Sequence, residues 1–495
     1  MKRILIATGG ALALAGCCWL PKVGPDYRAP EAELPSYELP DAGQPTTNRT
    51  EVGEYRPAEG EEDARALITA EGISRWWNRF ADPVLTTLVT ESSTNNLSYL
   101  MAKERLVASR WLLLGSYAAF MPQVGASLSG VRMERGPNTS SMVGSGKTLH
   151  RDVFAGGFDA SWEIDLFGGN ARRTEAAMAE AQAADWAVVD TLVSLTSEVG
   201  RQYVSLRTTQ QRIEVARTNL VLQSETYEIL KSRLDSGIGD ELAVNQSKYV
   251  VDQTLAQIPP LLAQEESLKN ALAILTGTVP GALHEMLSEC PDRDWLLEPA
   301  RLAEVPLDMI RARPDIRVAE RQLAAETAYV GVAKSQWYPR IVINGSLGLE
   351  SVHPQDLFHR GSLTGAIGPA LSWPIFRGGA VYASVKAQEA RMQEKVLNYE
   401  LTVQKAYGEV RDAYAAYTQE YHRFKALEGA VRAAQDAVAI ANDLYKNGLR
   451  DFTAVIDAQR SLLNLAEARV VSRGQITQNL IALYKSLGGG LTVSE

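Results

Sequence analysis

Cysteine is scarce in these 495 residues: Cys17, Cys18 and Cys290 are the only three, which excludes a disulfide framework. Histidine is nearly as rare. His150, His284, His353, His359 and His422 are scattered, with none of the spacing a metal site needs. Beyond the N-terminus no apolar run approaches 18 residues, so no transmembrane helix is expected. Basic excess is missing too. The formal charge is −9, which argues against nucleic acid as a partner. No nucleophile, metal or phosphate-loop constellation appears, so an enzyme is not expected.

What is present begins with "MKRILIATGGALALAGCC". Lys2 and Arg3 precede a short apolar core, Ile4 to Ala15, in the pattern of a secretory signal. Its end, Leu14-Ala15-Gly16-Cys17, is similar to the bacterial lipobox. Cleavage before Cys17 and lipid on that residue, a palmitate-bearing anchor, are therefore expected, with Cys18 permitting export to the outer membrane. Removal of residues 1–16 takes Lys2 and Arg3 with it and moves the formal charge to −11. No cofactor is expected beyond the covalent lipid on Cys17.

The chain then repeats itself at a constant offset of 211. Leu192, Val199, Leu206, Ile213, Leu220, Tyr227 and Leu234 fall every seven residues. Adding 211 gives Val403, Val410, Tyr417, Phe424, Val431, Val438 and Tyr445, again all apolar or aromatic. Gly237 maps to Gly448, Asp240 to Asp451, Trp162 to Trp373 and Gly277 to Gly488. Tyr407, Tyr414, Tyr421, Ala434 and Ala441 fill the second stripe to a period of 3.5, the coiled-coil value. The pattern predicts helices over 379–447 and about 171–236, each some 100 Å long at 1.5 Å per residue. Descending partners are expected at 241–276 and 452–487, and shorter helices at 83–118 and 314–336.

Between the helical parts, "VFAGGFDASWEID" (153–165) and "IVINGSLGLE" (341–350) alternate apolar with polar or small residues. "QVGASLSGVRM" (123–133) and "LTGAIGPALSW" (363–373) have similar length. Such segments fit transmembrane barrel strands, or a sandwich with one wet face. Hairpins are expected to pair 123–133 with 153–165 and 341–350 with 363–373, joined by loops 134–152 and 351–362. Pro122 and Pro339, 217 apart, stand just before strands. Four strands cannot close a membrane barrel, and an open edge in lipid is forbidden. Three copies would supply twelve strands, so a cyclic homotrimer is expected.

These residues resemble the outer membrane factor family, the TolC-like exit ducts, in its lipoprotein (NodT-like) branch found with multidrug efflux. The resemblance is carried by "VGPDYRAP" (23–30), "WWNRFADPVLTTLV" (76–89), "SGIGDELAV" (236–244), "RARPDIRVAERQLAAETAYVGVAKSQWYPRI" (311–341), "SWPIFRGG" (372–379) and "LYKSLGGG" (483–490). It implies a mixed α and β membrane protein. A trimeric 12-stranded outer-membrane β-barrel, four strands per protomer, would continue into a long periplasmic α-helical barrel with coiled-coil packing. The organisation expected is signal peptide 1–16, lipid-anchored extended segment 17–65, first repeat 66–277, connecting segment 278–310 and second repeat 311–490. The resemblance also implies partners: a periplasmic adaptor, an inner-membrane RND-type transporter and the outer-membrane lipid. The function implied is the exit duct of a tripartite efflux system in a Gram-negative outer membrane, with a type I protein-secretion duct as the alternative.

The helix turns at Gly237 and Gly448 are expected to form the periplasmic tips, with Asp240 and Asp451 capping the descending helices. In the family the second tip carries a Tyr, an Arg and two Asp that hold the channel closed. The resemblance places these on Tyr445, Arg450 and Asp457, while Ala454 stands where the other aspartate would fall. Three copies of Asp457 would then form a single acidic ring. The residues themselves leave a plainer option open, in which Tyr445 packs in the heptad stripe and Arg450 pairs with Asp451 or Asp457 of its own chain.

Overall fold

The structure, a computed structural model, describes residues 22–29, 75–135, 149–288, 307–447 and 449–489. Cys17, Cys18, Cys290 and Gly448 lie outside these residues. In chain order the main elements are α1 (Pro83–Asn95), α2 (Leu97–Tyr117), β1 (Gln123–Arg135) and β2 (Leu149–Ile164). There follow α3 (Gly169–Asp235), α4 (Glu241–Leu275), α5 (Pro314–Ser335), β3 (Arg340–Ser351), β4 (Leu363–Ser372), α6 (Ala380–Lys446) and α7 (Phe452–Ser486).

The duplication is visible in the boundaries. Helices α3 and α6 both run 67 residues and α4 and α7 both run 35, and each start and end differs by 211. Ahead of the second strand of each hairpin the offset is 217, as between Leu97 and Pro314 at the starts of α2 and α5. The heptad stripe explains why helices this long are stable. All fourteen positions of the two sevenfold rows are buried or half-buried, from Val199 and Val410 in the core to Tyr445 near one end.

Two expectations need correction here. The helix expected over 83–118 is broken at Asn96, whose backbone is extended at φ −62°, ψ 124°. Its side chain accepts from the Tyr99 amide at 3.0 Å and so caps α2. Asn95-Asn96 ahead of an apolar turn was the available signal. The loop expected over 134–152 is shorter, because β1 continues to Arg135 and β2 begins at Leu149.

Among the described residues the chain divides into two compact units, and each takes parts of both repeats. The first draws on 22–29, Arg105–Ala184 and Val318–Tyr399. It holds one antiparallel sheet in the order β1-β2-β3-β4. Both expected hairpins form, and Phe158↔Leu347 and Trp162↔Ile343 join them through β2 and β3. The register puts Phe158, Leu347, Leu128 and Ile367 on one face and Asp159, Ser346, Ser127 and Ala366 on the other. The apolar face is uncovered: Leu128 is 80% exposed and Ile367 85%. Each hairpin is pinned at its base by an indole. Trp162 Nε1 donates to the Phe120 carbonyl at 2.9 Å, and Trp373 Nε1 to the Trp337 carbonyl at 3.0 Å. The donors differ by 211 and the acceptors by 217.

The second unit draws on 75–104, Asp185–Arg317 and 400–489. Trp76 is buried there, stacked on Tyr484 with ring centroids 5.9 Å apart. Gly200 makes room for it, since a Cβ there would lie 2.4 Å from the indole. Asp82 caps α1 through the Val84 and Leu85 amides and also accepts from the Tyr203 hydroxyl at 2.8 Å. The quoted stretch 76–89 is thus a plug with its own cap.

Candidate functional site: the helix hairpin tips

Helix α3 ends in a Schellman turn. Gly237 takes φ +76°, its amide donates to Leu234 O at 2.8 Å and Ile238 N donates to Arg233 O at 3.1 Å. The second tip closes with the equivalent bond, Leu449 N to Leu444 O at 2.9 Å. The same closure recurs at the far ends of α4 and α7. Thr278 N reaches Ala273 O around Gly277, and Gly489 N reaches Tyr484 O around Gly488.

The tips pack against each other. Leu230 and Ala243 of the first hairpin share a buried cluster with Phe452, Val455 and Ile456 of the second. Tyr445 belongs to that cluster. It is half-buried, its ring 5.2 Å from Phe452 in an edge contact, with the Arg233 guanidinium 5.8 Å from the ring centre. Arg233 was not singled out from the sequence, where it is one cation in a polar run.

The caps differ from expectation. Asp240 caps α4, accepting from Leu242 N at 3.0 Å. Asp451 does not cap α7: it makes no side-chain bond there, and its carbonyl accepts from Ala454 N at 3.2 Å. Both backbones are extended, as an N-cap requires, with φ −105°, ψ 123° at Asp240 and φ −72°, ψ 156° at Asp451, so the difference lies in the side chains.

Arg450 and Asp457 are exposed, Ala454 half-buried. Among the described residues neither Arg450 nor Asp457 forms an ion pair within its own chain, so the intramolecular pairing left open above is not made. The structure therefore brings Tyr445 into packing with Phe452 and leaves Arg450 and Asp457 on the surface with their charges unspent.

Buried arginines were also missed, among them Arg313 and Arg172. Arg313 Nη1 donates to Ser486 O at 2.7 Å, closing the end of α7, and Nη2 reaches Asp315 and Glu409 at 2.8 Å each. Arg172 does similar work at the start of α3. Nothing in their sequence neighbourhoods separates them from the solvated cations around them.

An exposed apolar sheet face, together with long helices striped at heptad spacing, fits an outer-membrane channel protein. The sequence profile of the outer membrane efflux proteins matches residues 92–278 and 306–489. The chain belongs to that family. It is 30% identical over 494 residues to the antibiotic efflux pump outer membrane protein ArpC of Pseudomonas putida, covering 99% of this chain and 96% of that one. It is 28% identical to nodulation protein T of Rhizobium leguminosarum bv. viciae, covering 97% and 92%. Among solved structures, the outer-membrane channel OprN superposes with a TM-score of 0.80 at 29% identity, covering 94% of this chain and 99% of that one.

Proposed function

We propose that three copies of this chain form the outer-membrane exit duct of a tripartite efflux system. Each copy contributes four strands to a 12-stranded barrel and its long helices to a periplasmic tube. One observation carries the reading. Among the described residues the sheet ends at β1 and β4 and leaves an apolar face exposed; lipid suits that face, and neighbouring copies can pair the edges that lipid would leave unsatisfied. Lipid on Cys17 anchors the chain to the outer membrane. A periplasmic adaptor and an inner-membrane RND-type transporter dock below, and small toxic compounds pass outward. The name of the antibiotic efflux pump protein ArpC favours this cargo over secreted protein.

The tip works as the gate. Among the described residues neither Arg450 nor Asp457 makes an ion pair, and both side chains are exposed, which leaves them available to neighbouring copies. Three Asp457 carboxylates converging in a narrow tube favour cations. Arg450→Ala and Asp457→Ala are expected to raise single-channel conductance in planar bilayers. Unchanged conductance in both variants sinks the gate, and absence of any channel from the native protein sinks the duct.

A further inference from the structure

Residues 22–29 lie along the first unit as a ligand lies in a site. Val23 N donates to Phe167 O at 3.3 Å. The buried Arg172 guanidinium, 2% exposed, grips the segment at three points: Val23 O at 3.2 Å, Gly24 O at 3.2 Å and Asp26 Oδ1 at 2.8 Å. Its remaining N–H groups are held by Glu175. Tyr27 packs on Ala179, Ala324 and Ala325, and its hydroxyl reaches Glu320 at 3.2 Å. The fit is close enough to dictate composition. Gly24 has φ +103°, and a Cβ on it would lie 2.5 Å from Gly331 Cα. A Cβ on Gly331 would in turn meet Arg172 at 2.8 Å and Val23 O at 2.9 Å. Glycines face each other because backbone must touch backbone.

The seat has a definite place. Phe167 is three residues past the end of β2, in the turn that starts α3. Cys17 lies five residues before Lys22, so at most about 18 Å of extended chain separates the lipidated residue from the seat.

We propose that residues 22–29 are a membrane-placement latch: a peptide ligand of the chain's own N-terminus whose seating on α3 and α5 turns lipid attachment at Cys17 into a fixed position of the sheet's strand-to-helix turn at the bilayer surface. Without seating, the lipid holds the chain near the membrane and conveys nothing about the depth or orientation of the sheet. A buried arginine suits this role. Its hydrogen bonds to backbone carbonyls fix the segment's register, and an empty seat would leave a desolvated charge with one carboxylate partner.

The inference rests on the lipid-anchor reading above, and the test separates the two. Full-length protein with Gly24→Ala, a change on the bound segment that leaves both helices intact, is compared with native protein expressed in a Gram-negative host. Cys17 acylation is read by mass spectrometry of the N-terminal peptide, and insertion by the fraction of sheet protected from protease in washed membranes. Full acylation with at least a tenfold loss of protected sheet is the expected result. Asp26→Asn, which removes charge without adding bulk, should lose about threefold, with unchanged helical circular dichroism in detergent. Native insertion in both variants overturns the latch. Native insertion of an unacylated Cys17→Ser chain overturns the anchor, and the Gly24→Ala comparison still decides whether seating matters.

Discussion

The two repeats close equivalent helix ends with different side chains. In the first, Asn96 Nδ2 donates to Leu275 O at 2.9 Å; in the second, Arg313 Nη1 donates to Ser486 O at 2.7 Å. The carbonyls are 211 apart and the donors 217, so this is one interaction inherited twice and rebuilt once. An amide closes a helix end with no net charge and needs little around it. A buried guanidinium must also be neutralised, and Asp315 and Glu409 bind it. Asp190 lies in the same field, and burial pushes its carboxyl above the usual range. Its counterpart at 211 is Leu401, which carries no charge. The exchange of donor, with Asp315 in place of Ser98 and Asp190 in place of Leu401, separates a neutral joint from a charged cluster. Duplicated architecture preserves the hydrogen bond while letting its electrostatics diverge.

That comparison can be broken most sharply at the donors. Arg313→Met leaves Asp315, Glu409 and Asp190 without their shared cation, at an expected cost of about 3–5 kcal/mol in unfolding stability. Asn96→Ala should cost about 1–2 kcal/mol, because it strands one carbonyl and one helix cap. Equal losses in denaturant titrations of detergent-solubilised protein would mean the charged cluster adds nothing. Next come the glycines beside those carbonyls. Gly277→Ala places a Cβ 2.3 Å from Asn95 O at φ +74°, whereas Gly488→Ala at φ +88° meets its nearest neighbour, Arg313 Cγ, at 3.3 Å. The first should lose clearly more than the roughly 1 kcal/mol of backbone strain that both share. At the tips, Asp240→Ala should cost about 1 kcal/mol, read as faster hydrogen exchange in the first turn of α4. Asp451→Ala should leave α7 unchanged, since no cap is lost.

The smallest effect is at Asp190 and depends on pH. Its folded-state pKa is raised, so charging it opposes folding. That opposition is absent below the ordinary value of 3.8 and develops as pH rises through the raised one. Asp190→Asn should therefore raise the melting temperature at pH 7, with the difference vanishing toward pH 3.5. A gain that persists in acid would assign the effect to packing.

Much of the fold was legible because the pattern is long and regular. A stripe held through Leu192 to Tyr445 fixes helix position to within a residue or two, and alternation in 153–165 fixes the sheet face. What stayed hidden depends on side-chain detail or on distant partners. Asp240 and Asp451 look alike in sequence and both have extended backbones, yet only Asp240 turns its carboxylate onto the helix. Arg172 and Arg313 are buried by segments far away in the chain, so neither announces itself locally. At the tip the glycine turn was readable, while the contact of Tyr445 with Arg233 required the neighbouring hairpin.

Strands β1 and β4, each paired on one side only among the described residues, carry a consequence for biogenesis. In the proposed trimer, where other copies complete the sheet, full stability is not gained one molecule at a time, so its formation obeys mass action. Doubling the periplasmic supply of chains should raise the yield of inserted protein more than twofold while insertion is limited by encounter. Slow encounter leaves hydrogen-bonding edges open to any passing strand. Expression level, as much as sequence, then sets the balance between assembly and precipitation.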